Sequence, residues 1–214
     1  MHLSLSGRLC SLAGEAHDAF AYTVGALARA AEALDTDTGN HIARVNAYAG
    51  ALAVELGMPG PFVDDIALQA QLHDVGKIHI DPAILRKPGR LSPAEWDEMK
   101  RHTVYGARII GDSPRLEMGR SVALSHHERF DGSGYPAGKK GLEIPAEGRV
   151  TAVADSYDAI RAARPYKPAQ SHEAAVRAIV NGDDRHGPDG FDPAVVRAFS
   201  KLEKKFYELF EKMK

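Results

Sequence analysis

A histidine and an aspartate stand next to each other at His73-Asp74, just before Gly76 and Lys77. Imidazole nitrogen and carboxylate oxygen are both good ligands for first-row divalent metals, and a carboxylate can bridge two ions. Neighbouring residues on a helix point about 100° apart, so both side chains can reach one site only where a helix is ending. Gly76 suits such an ending as a helix C-cap. The doublet alone is weak evidence, because adjacent histidine and aspartate residues are common.

Five further residues of the same chemistry change that balance. His41 opens one helical pattern, and His102 lies within another. His126-His127 precedes a glycine-rich segment, and Asp155 interrupts an apolar stretch, where a buried carboxylate is costly unless paired or metal-bound. Each residue taken singly is better interpreted as a satisfied core or helix-end side chain. Together they predict a metal centre with these ligands: His41, His73, Asp74, His102, His126, His127 and Asp155.

The charge and the number of ligands fit two divalent ions. The carboxylates of Asp74 and Asp155 neutralise about half of the charge of such a pair, which leaves enough for a phosphodiester and a bridging hydroxide. Two six-coordinate ions need roughly twelve ligand positions, so the seven side chains leave several for water and substrate. Imidazole and carboxylate without thiolate favour iron or manganese over tetrahedral zinc. Cys10 is the only cysteine, which excludes an internal disulfide and a multi-cysteine zinc site.

Apolar residues at helical spacing indicate that helices position these side chains. No segment alternates as a strand would, so the predicted fold class is all-α. Ser92, Pro93 and Glu95 form a capping-box pattern at one helix start. Glycines and prolines over 131–145 predict a surface loop above the site, and two prolines predict another loop over 78–90. The predicted helices are 12–34, 41–56, 62–73, 93–110, 115–125, 150–163, 171–179 and 193 to the C-terminus.

Composition limits the classes of function. The 214 residues fit one domain, and 44% hydrophobic with 26% charged residues is an ordinary globular composition. A net charge of −2 gives no general attraction for DNA, RNA or an anionic membrane. No apolar run reaches the roughly 18 residues of a membrane span, and the N-terminus lacks the pattern of a signal peptide. We therefore expect a cytoplasmic protein.

Several motifs together resemble the HD-GYP family, a branch of the HD phosphohydrolase superfamily. The longest and most specific begins with His126-His127-Glu128 and ends with Gly134-Tyr135-Pro136. The others are Thr38-Gly39-Asn40-His41, His73-Asp74-Val75-Gly76-Lys77, the segment 99–106, Val153-Ala154-Asp155-Ser156-Tyr157-Asp158-Ala159-Ile160, Arg164-Pro165-Tyr166-Lys167 and Phe191-Asp192-Pro193. The resemblance extends over most of the chain, from Thr23 to Phe199.

The resemblance implies an HD-domain helical bundle over residues 37–214 that hydrolyses cyclic di-GMP to linear pGpG, GMP or both. Residues 1–36 are then an N-terminal helix extension, which serves as a linker or a dimerisation element. The same seven residues are implied as metal ligands, and Asp37 stands where some members hold a third ion with an acid. The substrate contacts predicted are Lys77, Gly134, Tyr135, Asp158, Arg164 and Lys167.

In the predicted mechanism, a metal-bridging hydroxide attacks phosphorus in line with the ribose 3′-oxygen. Asp74 bridges the metals and orients the hydroxide, and Lys77 neutralises phosphate charge or protonates the leaving group. The glycines of the 131–136 loop permit close backbone approach, so Tyr135-Pro136 offers a flat surface to guanine. The other interpretation of this loop is a simple turn of the chain, with Tyr135 packed on the core.

Two positions depart from the family pattern, and two other functions stay open. Arg161-Ala162-Ala163 replaces a frequent serine or threonine before Arg164, and Gly190 replaces a usual histidine or glutamine. The alternatives are a non-hydrolysing cyclic di-GMP receptor or regulatory module, and an HD phosphohydrolase of another nucleotide such as cyclic GMP-AMP. Retention of all seven ligand positions favours catalysis. The resemblance also suggests diguanylate cyclase domains as partners of the Gly-Tyr-Pro loop, and the leading helix suggests a homodimer.

Overall fold

The computed structural model describes residues 5–33, 40–163, 168–182, 187 and 189–214, with the backbone alone for 5–11. These ranges contain ten α-helices and no strand, which confirms the all-α prediction. The helices are α1 (Leu5–Glu32), α2 (His41–Glu55), α3 (Gly60–Gln69), α4 (Pro82–Leu85), α5 (Pro93–Lys100), α6 (His102–Ile110), α7 (Glu117–Ser125), α8 (Ala146–Arg161), α9 (His172–Asn181) and α10 (Pro193–Lys212). No helix of the described chain is both long enough and apolar enough to span a membrane.

The main core lies where α2 meets α8 and α10, and its largest members are aromatic. The ring of Tyr48 stacks on Phe206 with centroids 4.4 Å apart, and Tyr157 meets the same Phe206 edge-on at 5.1 Å. All three side chains are fully buried. Aromatic pairs in these arrangements contribute about 0.5–1.5 kcal/mol beyond the burial of their area. This cluster fixes α2 relative to α8, the two helices that carry His41 and Asp155.

A second apolar cluster joins the end of α1 to the middle of the chain. Val24, Ala28 and Ala31 on one face of α1 pack with Leu72 and Val75. The spacing of those three residues is the helical i, i+4, i+7 pattern, so they form a single stripe. The second half of α1 is thus part of the helical body and covers the turn that contains His73 and Asp74.

Two predicted helices end differently from the expectation. The helix predicted over 62–73 ends at Gln69 and continues as short 3₁₀ turns over Ala70–Leu72 and Val75–His79. The helix predicted over 93–110 is two helices that meet at Arg101. The reason for the break is local: the carbonyl of Met99 accepts from His102 Nδ1 at 2.7 Å, and the carbonyl of Lys100 accepts from the Thr103 hydroxyl at 2.9 Å. Side-chain donors of this kind compete with the helical ladder.

Gly76 is needed for close packing rather than for a helix C-cap, which corrects the prediction. Its φ lies outside the left-handed region that such a cap requires. A Cβ at this position would lie 1.9 Å from the carbonyl oxygen of His102 and 2.3 Å from the amide nitrogen of Gly106. The 3₁₀ turn after Asp74 therefore packs backbone to backbone against α6, and this contact brings Asp74 next to His102.

Candidate metal centre

The seven predicted ligands assemble into two adjoining groups at the ends of helices. In the first group, one ligand atom from each of four residues lies within 4.8 Å of all the others, and in the second group three residues satisfy the same condition. The first group is Asp74, His102, His126 and His127, and the second is His41, His73 and Asp155. His41 and His102 are the first residues of α2 and α6, and His126-His127 follows α7. The structure thus brings all seven together.

The carboxylate of Asp74 faces both groups. Its Oδ2 lies 3.3 Å from His73 Nε2, and its Oδ1 lies 3.3 Å from His102 Nε2 and 3.6 Å from His126 Nε2. Oδ1 is buried and accepts no hydrogen bond from the described residues. A buried carboxylate oxygen without a donor is costly. A metal ion held by Asp74 and the histidines of the first group would satisfy this oxygen.

The orientation of the histidine rings also fits bound metal. The Nδ1 atoms of His73, His102 and His126 lie 2.9, 2.7 and 3.1 Å from backbone carbonyl oxygens, to which only an N–H can donate. In the neutral form of each ring, Nε2 is then the lone-pair acceptor that faces the site. His102 Nε2 and His126 Nε2 lie 3.5 Å apart, and two such lone pairs repel unless a cation lies between them. Hydrogen bonding of the outer ring nitrogen is the usual arrangement of metal-binding histidine.

Burial and charge set the protonation of these rings. Burial lowers the pKa of His102 to about 4 and holds the pKa of His127 well below its usual value, so both are neutral at pH 7. Burial would also lower the pKa of His73, but the carboxylates of Asp74 and Asp155 outweigh it and raise that pKa to about 9. The group containing His73 therefore attracts positive charge. The donor set and its electrostatics fit divalent metal.

Asp158 supports a ligand rather than contacting substrate, which corrects the sequence prediction. Its side chain is completely buried, and its Oδ2 lies 2.8 Å from His41 Nδ1. Arg44 holds the same carboxylate through Nε to Oδ1 at 2.6 Å and through a second nitrogen to Oδ2 at 2.9 Å. Burial would raise the pKa of Asp158, but the hydrogen bonds from His41 and Arg44 lower it. The carboxylate thus stays charged and orients His41.

Glu128 has a role that the sequence did not reveal. It is buried, and its carboxylate accepts hydrogen bonds from the backbone of Ala137 at 2.7 Å and of Lys139 at 3.0 Å. These bonds tie the predicted loop to the residue directly after the two histidine ligands. Gly134 packs equally closely, since a Cβ there would lie 2.5 Å from the carbonyl oxygen of His127. The only signal in the sequence was the position of Glu128 between the ligands and the loop.

Tyr135 is part of the loop, but its side chain packs against the candidate metal centre. Its ring packs on the imidazole of His127 with centroids 4.7 Å apart and planes at 31°. Burial raises the pKa of Tyr135, and the charges of Asp74 and Asp155 raise it further. The phenol is therefore a neutral hydrogen-bond donor near the two carboxylates. One face of the ring is used in this contact, as the packing interpretation of the loop expects, although the contact is with a ligand and not with the apolar core.

A cleft of about 820 Å³ opens from both ligand groups. Asp74, Asp155 and Lys77 lie at its floor, and its walls include Trp96 and Arg129. This volume is in the range of small-molecule sites. Gly190, the position that departs from the family pattern, also borders the cleft, and a Cβ there would lie 2.3 Å from the guanidinium of Arg129. The guanidinium thus occupies the space that a side chain at position 190 would need.

Three of the candidate metal and substrate contacts named from the sequence lie outside the described residues. They are Asp37, Arg164 and Lys167.

The comparisons with known proteins agree on one family. Residues 26–195 match the family model described as the HD domain. A protein named cyclic di-GMP phosphodiesterase from Thermotoga maritima is 46% identical over 182 residues, which is 84% of this chain and 48% of the relative. One of the same name from Vibrio cholerae is 43% identical over 195 residues, 84% of this chain and 39% of the relative. The chain thus spans half or less of these two relatives.

Two solved structures share the fold at low sequence identity. An HDG"Y"P protein from Bdellovibrio bacteriovorus superposes with a TM-score of 0.60 at 19% identity, covering 89% of this chain and 64% of the other. A cyclic GMP-AMP specific phosphodiesterase of V. cholerae superposes with a TM-score of 0.62 at 18% identity, covering 89% of this chain and 50% of the other. These neighbours establish the helical fold.

Proposed function

The chain belongs to the HD domain family, in its HD-GYP branch, and from this membership we propose that it is a metal-dependent phosphodiesterase of cyclic di-GMP. The products we propose are linear pGpG, GMP or both. One observation carries the proposal: Asp74 joins two groups of ligands at the floor of a cleft large enough for a nucleotide. Relatives that carry the name cyclic di-GMP phosphodiesterase support the choice of substrate.

Two residues that line the cleft, Asp74 and Lys77, would take part in this chemistry. Divalent ions in such a site lower the pKa of bound water and stabilise charge on the attacking and leaving oxygens. Asp74 would hold the two ligand groups next to each other, because its Oδ1 faces one group and its Oδ2 faces the other. Lys77 Nζ lies 2.8 Å from Asp74 Oδ2 and borders the cleft, so it would supply positive charge to the phosphate and a proton to the ribose 3′-oxygen. A Lys77→Ala protein with full metal content and full turnover would contradict this role.

The identity of the metal is proposed from the chemistry of the ligands, and several further contacts are proposed from the family resemblance. We propose iron or manganese, because five imidazoles and two carboxylates without thiolate suit these ions. A third ion held with Asp37, and phosphate contacts by Arg164 and Lys167, are proposed on the resemblance alone. Contact of the Gly-Tyr-Pro loop with diguanylate cyclase domains is also proposed on the resemblance. A homodimer or linker role of α1 is proposed from its place as the leading helix, and a cytoplasmic location from the composition.

A cyclic GMP-AMP substrate is the second candidate, and one observation favours it. A protein from Vibrio cholerae named 3′3′-cGAMP-specific phosphodiesterase 2 is 40% identical over 172 residues, which is 79% of this chain and 32% of the relative. The two substrates differ in one base, so the ligand groups and Lys77 would serve either. Selection between them falls to the walls of the cleft.

The test begins with anaerobic purification and quantification of bound metal. Equal amounts of cyclic di-GMP and 3′3′-cyclic GMP-AMP are then incubated with the protein, and products are followed by chromatography. We expect bound iron or manganese and conversion of cyclic di-GMP to pGpG or GMP, both lost in Asp74→Asn. Faster turnover of cyclic GMP-AMP would favour the second candidate. Bound metal and bound dinucleotide without any product would instead indicate a receptor.

A further inference from the structure

Trp96 lies on α5, a helix that contributes no buried residue to the core. The side chain of Trp96 is 46% exposed. Polar contacts hold the start of α5: Ser92 and Glu95 form a capping box, and Lys87 Nζ lies 2.7 Å from Glu95 Oε2. The ring of Trp96 is thus held in a fixed place while nearly half of its surface stays exposed. The fold therefore presents the indole to whatever enters the neighbouring space.

That space is the cleft above the metal centre. The ring of Trp96 borders it, 6.0 Å from the ring of Tyr135 and at 82° to it. Tyr135 in turn packs on the ligand His127 at 4.7 Å. The three rings form a row along one wall that leads from the metal centre toward the rim: His127, then Tyr135, then Trp96.

The row distinguishes the two candidate stacking surfaces. Tyr135 lies between the imidazole of His127 and the indole of Trp96, and one face of its ring is taken up by His127. Trp96 is the outermost ring and keeps nearly half of its surface exposed. A phosphodiester held at the ligand groups carries its base on a ribose, so the base must lie elsewhere in the same cleft. The exposed indole borders that cleft.

We propose that Trp96 is the platform on which one nucleobase of the substrate stacks. The inference rests on the proposed function, since it concerns the base of the same cyclic dinucleotide. It replaces Tyr135, which the sequence favoured for this task, and leaves Tyr135 as a ring that packs on a metal ligand. Stacking on an indole tolerates every base, because each base has a π face. Trp96 would therefore supply affinity, and choice between bases would come from polar groups elsewhere in the cleft.

Replacement of Trp96 tests the proposal through binding. A stacked base contributes an amount that corresponds to about 5- to 150-fold in affinity, and we expect Trp96→Ala to weaken binding by that factor. Trp96→Phe retains a smaller ring and should recover part of the loss. Tyr22→Ala is the matched control, because Tyr22 is a 72% exposed ring on α1 that does not border the cleft. The dissociation constants are measured by equilibrium dialysis. Each metal-loaded protein is dialysed against a hydrolysis-resistant bisphosphorothioate analogue of cyclic di-GMP.

Fluorescence gives a second readout that a merely structural role would not change. Trp96 is the only tryptophan in the sequence, so the indole emission of the protein reports on this residue alone. We expect the dinucleotide analogue to quench the emission at the concentrations at which dialysis detects binding. Inorganic phosphate, which carries no base, should bind at the metal centre and leave the emission unchanged.

The two readouts separate failure of this inference from failure of the proposed function. Binding of the analogue that leaves the emission unchanged and is equally tight in Trp96→Ala would overturn the stacking role and keep the proposed function. Absence of binding by dialysis in the unaltered protein would overturn both. Quenching together with weaker binding by Trp96→Ala, but not by Tyr22→Ala, would support both.

Discussion

Asp155 and Asp158 lie three residues apart on α8, and exchanging either for asparagine should weaken metal binding, but only the exchange at Asp158 should also lower stability. Asp158→Asn keeps the shape of the side chain but removes the charge that accepts from His41 and Arg44. Loss of one partner from a buried ion pair costs about 3–5 kcal/mol, because Arg44 is left buried and uncompensated. In a chain of this size that corresponds to a decrease in Tm of roughly 6–20 °C for the metal-free protein.

The same substitution should also weaken metal binding. His41 would lose the carboxylate that fixes its ring and raises its basicity, and losses of this kind typically cost 10–100-fold in metal affinity. Asp155→Asn is the control, because the Asp155 carboxylate lies 3.5 Å from His41 Nε2, faces the site and is partly exposed. It should lose metal while the Tm of the metal-free protein stays within a few degrees of the original.

Calorimetry in chelator and titration with manganese measure both effects. Asp158→Asn should unfold at lower temperature and bind manganese more weakly, whereas Asp155→Asn should show the second change alone. An Asp158→Asn protein with unchanged Tm and unchanged metal affinity but a higher KM for cyclic di-GMP would refute the reasoning. That result would restore the substrate contact predicted from the sequence.

Three further predictions concern the elements that position the site. Gly76→Ala should unfold most of the protein at 37 °C, because a Cβ at this position would lie 1.9 Å from a backbone oxygen. The control is Gly14→Ala, which has open space around it and should raise the free energy of unfolding by about 0.5–1 kcal/mol in urea titrations. The pKa of Glu95 should be about 2 by NMR titration and should rise in Lys87→Ala, because hydrogen bonds from Lys87 and Ser92 lower it. The pKa of Glu95 in the folded protein is lower than its pKa in the unfolded chain, so its ionised carboxylate stabilises the folded state above the ordinary glutamate pKa. This stabilisation should be lost as the pH falls from about 4.3 to 2. Glu95→Gln should show no such pH dependence. Glu128→Ala should expose the 131–140 loop to trypsin at Lys139 and reduce turnover with metal content unchanged, and resistance equal to that of the original protein would contradict its anchoring role.

The sequence predicted which seven side chains come together, because these residues are short-range signals of residue type. His73-Asp74 and His126-His127 are adjacent pairs whose chemistry is unusual next to apolar helices. The helical class followed from periodicity, which needs no tertiary information. The break at Arg101 was missed because hydrogen bonds from two side chains to backbone carbonyls outweigh a continuous helical pattern there.

Residues that act through a partner distant in sequence were misjudged or missed. Arg44 lies on α2 with the spacing of an ordinary helical cation, and only the fold reveals that it is buried against Asp158, 114 residues later. Asp158 itself was predicted to contact the substrate. Trp96 lies on a short and mostly polar helix that contributes no buried residue, so the pattern gave it no role. Pair contacts of this kind depend on packing between elements, which residue types along one segment do not encode.

The histidines of the two ligand groups are held by different partners, so Asp158→Asn should affect the two groups differently. His102 and His126 are held by backbone carbonyls, which no side-chain substitution removes. His41 instead depends on the carboxylate of Asp158. Asp158→Asn should therefore empty the group of His41 before the group of His102, so that the protein keeps about half of its bound metal at concentrations that fill both groups in the unaltered chain. Equal loss from both groups would mean that Asp158 acts on the whole centre through the stability of α2 and α8 rather than through His41.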